Sequence, residues 1–278
     1  MIKRLIYILV LIVVAACAPK LKSTITKTFP PLPKDALVVV LDIADVQSIE
    51  GDVVGVLEAN HGGLNGNCTY YQNILNLKEL ARKAGANLIK ITEHKLPGTT
   101  NTCHRLQAKI FSVKNAKKYE AKINWSADRK LTWDDFKGVP DTLNYPNTLA
   151  MTNSGFGYES GVNMLKEGKV FIQSVFNTNK SWVVVEGRND YVLRHEQIHF
   201  DITEIYSRKL RKELADANIT SKNAEKAKPI FNRIFSEMEL RQQRYDQETQ
   251  RGDKRETQEH WEAVVKLELA KYEFYKSN

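Results

Sequence analysis

The chain reads as an α+β protein of two modules, and three observations predict this. Short apolar runs bounded by turn residues recur from Ala36 to Val185, the pattern of strands. Beyond Asn189 the apolar spacing changes to three and four residues, the period of a helix, in three stretches that end near Tyr275. Inside the strand-rich part, residues 114–122 carry Lys114, Lys117, Lys118 and Lys122 against the single acid Glu120, which marks a linker between modules 36–113 and 123–278.

The elements follow in order. Lys3 and Arg4 precede an apolar run from Leu5 to Val14, and then come Ala15, Ala16 and Cys17. The run is too short to cross a bilayer, so residues 1–16 are expected to form a signal peptide. Small residues directly before a cysteine resemble the bacterial lipobox, which implies lipidation of Cys17 and a membrane anchor in the cell envelope. Ala18 and Pro19 follow in place of an acidic residue, which favours the outer membrane. Residues 17–35, with Pro19, Pro30, Pro31 and Pro33 among Lys, Ser and Thr, read as a lipidated tether with little to bury. The net charge of +8 is spread along the chain without an Arg-aromatic motif, so no nucleic-acid partner is expected. Attraction to anionic envelope surfaces is what the excess implies.

Residues 36–113 read as a small α/β module. Strands are expected at Ala36 to Leu41, Asp52 to Leu57, Asn87 to Ile91 and Leu106 to Val113, giving a four-strand sheet. Leu77, Leu80, Ala81 and Ala84 place a helix over Leu75 to Ala84, with Gly85 closing it at the C′ position. His61 falls in a solvated Gly/Asn-rich loop. With Cys17 spent on lipid, Cys68 and Cys103 remain, and an even pair in an exported protein implies a disulfide worth about 3–4 kcal/mol. His104 beside it reads as a surface residue. The run from Ala81 to Leu88, followed by a strand and Cys103, resembles the envelope stress-sensor lipoproteins of the Rcs type.

Residues 123–278 hold the chemistry. Pieces around Ile123, Leu131 to Pro140, Ala150 to Tyr158, Val170 to Phe176 and Ser181 to Val185 read as three or four short strands. His195-Glu196-Gln197-Ile198-His199 then form an H-E-x-x-H run inside a helix capped by Asn189 or Asp190. Positions i and i+4 share a helical face, so both imidazoles can reach one metal ion, with Glu196 beside it. Val192, His195, His199, Ile202 and Tyr206 share that face, which puts the histidines inward. Long helices are expected from Asn223 to Gln250 and from Thr257 to Tyr275.

The Leu131-Thr132-Trp133 and Asp135-Phe136-Lys137-Gly138 pieces, Leu193 to Ile202, and Tyr245-Asp246, Thr249, Gly252, Gln258 and Trp261 together resemble a family of exported bacterial proteins described as secreted zinc-dependent proteases. The resemblance implies a zincin-like domain over 123–278. Two positions depart from the family pattern: Ile198 is usually small, and Arg251 stands where a His is expected. A guanidinium stays protonated and is no metal donor.

The third ligand must therefore come from elsewhere. Glu204 turns away from the His face. Phe235, Glu239, Gln242 and Asp246 form one stripe of the next helix, and Asp246 is the expected ligand, ahead of Glu239 and His260. The function these readings imply is zinc-dependent peptidase-type hydrolysis of a peptide or protein substrate. His195, His199 and Asp246 hold Zn²⁺, zinc-bound water attacks the carbonyl with Glu196 as general base, and Tyr245 supports the oxyanion. The alternatives are a catalytically inactive zincin-like binding or docking module of the cell envelope, which Arg251 would favour, and a zinc-stabilised structural domain.

Overall fold

The computed structural model describes residues 20–60, 68–98, 103–160 and 170–277. The expected signal peptide, Cys17 and His61 lie outside them. The chain divides into two compact units: one runs up to Glu120 and takes in Ser160–Lys169 and Thr220–Lys222, and the other comprises Ala121–Glu159, Val170–Ile219 and Asn223 onward.

The first unit is a mixed sheet with one helix. Strands β1 (Lys20–Ile25), β2 (Val39–Leu41), β3 (Asp52–Asn60), β4 (Leu88–Lys95) and β5 (Arg105–Ser112) lie in the order β1-β3-β5-β4-β2. All neighbours are antiparallel except β2 and β4. Alternation along each strand sends residues to opposite faces. Ile89 packs with Leu77 and Ala81 of helix α1 (Tyr70–Lys83), whereas Leu88 packs with Ala116 and Tyr119. Thr69 caps α1 by accepting from the Gln72 amide at 3.1 Å, so the helix starts five residues before Leu75. Gly85 follows its C-terminus at φ +75°, where a Cβ would also meet Phe29. Cys68 and Cys103 form a disulfide with Cα atoms 5.0 Å apart.

Three expectations for this unit are corrected or refined. The sheet has five strands, because residues 20–25, read as tether, pair with β3 from Lys20↔Asn60 to Ile25↔Gly55. Leu21 and Ile25 are exposed, so main-chain hydrogen bonds place β1 and no hydrophobic alternation announces it. Residues 114–122 contain the division between the units, at Glu120/Ala121, but the connector is packed: Ala116 and Tyr119 are buried and the Tyr119 hydroxyl accepts from the Glu50 amide at 2.8 Å. His104 is half-buried and stacks on His94, with ring nitrogens 2.8 Å apart.

The second unit packs helices against short strands. Strands β6 (Lys122–Asn124), β9 (Val170–Asn177) and β8 (Ser154–Ser160) form one sheet in that order, and β7 (Ala150–Met151) pairs with β10 (Trp182–Val183). Leu131 to Pro140, expected as strand, instead holds a 3₁₀ turn at Trp133–Asp135. Asp135 sets that turn: it accepts from the Thr132 amide at 2.7 Å and is paired by the Arg129 guanidinium at 2.9 Å. Helices α2 (Asp190–Asp216), α3 (Ala227–Thr249) and α4 (Arg255–Lys271) follow. Ile202, Ile205 and Leu210 of α2, Ile234 and Met238 of α3, and Trp261 and Val265 of α4 share one core. Phe200 joins a second core with Ile123, Leu131 and Phe176. Helix α2 is therefore buried on both flanks, and its position fixes the site.

Candidate metal centre

Helix α2 begins where the Asn189 side chain accepts from the Val192 amide at 3.0 Å, and the H-E-x-x-H run spans its second and third turns. His195 and Glu196 are buried and His199 is half-buried. The Nε2 atoms of the two histidines lie 3.2 Å apart. Asp246, on the last turns of α3, brings Oδ1 to 3.2 Å from His195 Nε2 and 3.0 Å from His199 Nε2. Among the described residues these are the one group of three or more His, Cys, Asp or Glu side chains gathered so closely.

The spacing is informative. Zinc bonds of 2.0–2.1 Å in a tetrahedron separate the ligand atoms by about 3.3 Å. Three such edges, all within a few tenths of an ångström of that value, are what this triangle presents. The rings are also held for the task. His199 Nδ1 lies 2.7 Å from Gln242 Oε1, and His195 Nδ1 lies 3.3 Å from Gln258 Oε1. An amide oxygen can only accept, so each Nδ1 carries a proton and each Nε2 is the ring atom turned to the centre. Gln242 is itself fixed, since its Nε2 donates to the His199 carbonyl at 2.8 Å.

Electrostatics couple the three groups. Burial opposes protonation of His199, but the hydrogen bond and charge of Asp246, with Glu196 and Gln242 adding to them, lift its pKa to about 9. Burial would raise the Asp246 carboxyl, yet the two histidines hold it well below the usual carboxylate range. This carboxylate and these imidazoles are matched donors for a divalent cation.

Glu196 completes the site. It lines the same cleft as His195, His199 and Asp246, a space of about 510 Å³. Its Oε2 is buried without a hydrogen-bond partner. A buried carboxylate oxygen costs several kcal/mol unless something bonds it, so this atom calls for a partner from outside the chain.

Glu239 and His260 are exposed on α3 and α4 and are not among the gathered ligand atoms. Glu204 is turned away and pairs with Arg208 at 2.9 Å. Tyr245 departs from its expected role. Its ring stacks on His195 at 4.6 Å between centroids and also meets His199 and Trp261, so it lies behind the imidazoles rather than over the centre. The residue is fully buried and is not part of the cleft wall. Burial, then the charges of Glu196, Glu262 and Asp246, push its phenol pKa far above the ordinary value. Packing is the reason: Tyr245 sits one residue before Asp246, so the helix turns it toward the α2–α4 core.

Gln242 and Gln258 are the positioning residues that the sequence left without a role. Gln242 is one helical turn before Asp246 on the same stripe, which is the signal that could have found it. Gln258 was visible only as part of the family resemblance, because its role depends on how α4 packs. The Tyr-Asp-x-x-Thr-x-x-Gly run also gains a reason. Thr249 Oγ1 donates to the Tyr245 carbonyl at 2.7 Å, and Gln250, Arg251 and Gly252 have φ of +51°, +56° and +94°. That left-handed exit sets Gly252 against the His195 ring, where its carbonyl accepts from the Tyr191 hydroxyl.

No curated protein and no solved structure matches this chain. Over residues 177–253, a segment that contains His195, Glu196, His199 and Asp246, the chain is similar to a family described as a bacterial protein of unknown function (DUF922).

Proposed function

We propose that the second unit is a zinc-dependent peptidase-type hydrolase. The observation that carries this reading is the triangle of His195 Nε2, His199 Nε2 and Asp246 Oδ1 at tetrahedral spacing, open to a cleft that also holds Glu196. Three protein donors with a fourth direction open is the arrangement of a catalytic rather than a structural zinc site. When bound there, zinc supplies Lewis acidity, polarising a carbonyl and bringing the pKa of water to about 7.

The chain's own residues do the rest. Gln242 and Gln258 hold the Nδ1 protons and so keep both Nε2 atoms directed at the centre. Glu196 Oε2 takes the proton of the attacking water and passes it to the leaving amine. The Thr152 hydroxyl donates to the Glu196 carbonyl at 3.2 Å, which ties the Ala150–Thr152 wall of the cleft to α2. Strand β8 starts just beyond and lies at an edge of its sheet among the described residues. An extended peptide can add to such an edge by main-chain hydrogen bonds, which is why a peptide is the substrate class favoured.

The lipobox-like run further supports export and anchoring through Cys17 to the cell envelope, with the outer membrane favoured. Among the described residues no helix is long and apolar enough to cross a membrane. Cys17→Ser should release the protein from the membrane fraction, and retention there would reject the anchor. The hydrolase reading is tested by loading the full chain with zinc and following cleavage of a peptide library by mass spectrometry. Cleavage abolished in Glu196→Gln is the expected result. A zinc-loaded chain that cuts nothing would favour the binding-module alternative.

A further inference from the structure

We propose that Arg251 is a specificity-determining residue that binds a carboxylate of the ligand held in the cleft; calling that ligand a peptide substrate rests on the hydrolase reading above.

Arg251 lines the cleft together with His195, Glu196, His199 and Asp246, and it is the only Lys or Arg among the described residues that do so. The chain takes an uncommon course to put it there. Gln250 and Arg251 are both left-handed without being glycine, at φ of +51° and +56°. Each such residue costs of order 1 kcal/mol, and strain of this kind concentrates at binding sites.

The Arg251 side chain is exposed at the cleft and is in no ion pair among the described residues. Its one hydrogen bond among the described residues joins Nη1 to the neutral Thr148 hydroxyl at 3.2 Å, across the cleft rim. A guanidinium has five N–H donors in a planar fork, a shape that matches a carboxylate bidentately. Asp253 is the other acid of the cleft wall, and it forms no ion pair with Arg251. Asp246 is committed to the two histidines. With a divalent ion at the centre, Asp246 and Glu196 together offset its charge, so the cation at position 251 is left available for an anion brought by the ligand.

The carboxylate has two sources in a peptide, a free C-terminus or an acidic side chain. Three probes separate them: acetyl-Ala-Ala-Ala as the free acid, the same peptide as its amide, and acetyl-Ala-Glu-Ala amide. Binding to the full chain in detergent is measured by calorimetry with and without zinc, because a carboxylate can also ligate the metal. Arg251→Asn is the variant of choice, since asparagine tolerates a left-handed backbone.

The expected result is that one or both carboxylate probes bind roughly ten-fold tighter than the neutral amide. That preference should persist without zinc and vanish in Arg251→Asn. Preference for the free acid assigns a C-terminal carboxylate, and preference for the Glu peptide assigns an internal acidic side chain. Equal binding of all three probes, or a preference unchanged in Arg251→Asn, would overturn the proposal. If the preference holds while zinc-loaded protein cuts no peptide, the hydrolase reading fails and the role of Arg251 stands.

Discussion

Glu196 and Glu204 lie about two turns apart on α2, and both are buried. Glu204 has every oxygen occupied. Its Oε1 accepts from Arg208 at 2.9 Å and Arg211 at 3.0 Å, and its Oε2 accepts from the Ser174 hydroxyl at 2.6 Å. Arg208 also donates to the Leu269 carbonyl at 2.6 Å and to Glu273 at 2.8 Å. Glu196 Oε2 has no such partner. The same residue type on the same helix thus serves two ends. A carboxylate whose bonds close within the chain fixes helix packing, whereas one left open waits for a group the chain does not supply.

Glu196→Gln should lower turnover by about 10²- to 10⁴-fold, the usual worth of a general base, while zinc content and thermal midpoint hold or improve. Unchanged turnover would remove Glu196 from the chemistry. Glu204→Ala should behave in the opposite sense. It leaves the buried Arg208 with the exposed Glu273 as its remaining acidic partner and should cost about 3 kcal/mol in denaturant unfolding, with zinc per folded chain unchanged. A loss of zinc without a loss of stability would contradict the division between the two halves of α2.

Gln242→Ala removes the acceptor that orients His199 and should weaken zinc by about 10- to 100-fold in a competition titration with a chelator. An affinity equal to wild type would mean that the His199 ring is held by packing alone. Asn189→Ala should have the smallest effect, about 1 kcal/mol from the lost helix cap, with turnover per folded molecule preserved.

How much of this was legible in the sequence follows from where each constraint resides. The His195, Glu196 and His199 arrangement is local, because a helix of fixed pitch decides which residues share a face, and the Asn189 cap is equally local. Asp246 was reachable from the stripe it shares with Gln242, although the stripe alone could not rank it above Glu239. The direction of Tyr245 was not reachable, since it depends on the angle at which α3 and α4 meet α2. Gln258 is hidden for the same reason, its partner His195 being 63 residues earlier in the chain. Strand β1 is hidden for another. Its exposed Leu21 and Ile25 carry no burial signal, and only the edge of β3 reveals it. The apolar runs that mark β4 and β5 have apolar residues at successive positions because both faces of that sheet are covered, by α1 on one side and by the Ala116–Tyr119 turn on the other.

The assignment of His195, His199 and Asp246 as one metal centre is tested most directly by zinc stoichiometry. Zinc per chain should be measured by plasma mass spectrometry on the full chain, beside Asp246→Ala, Glu239→Ala and His260→Ala. The expected result is close to one zinc in the unsubstituted chain, Glu239→Ala and His260→Ala, with a clear loss in Asp246→Ala alone. Zinc retained in Asp246→Ala, or no zinc in the folded unsubstituted chain after reconstitution, would contradict the assignment.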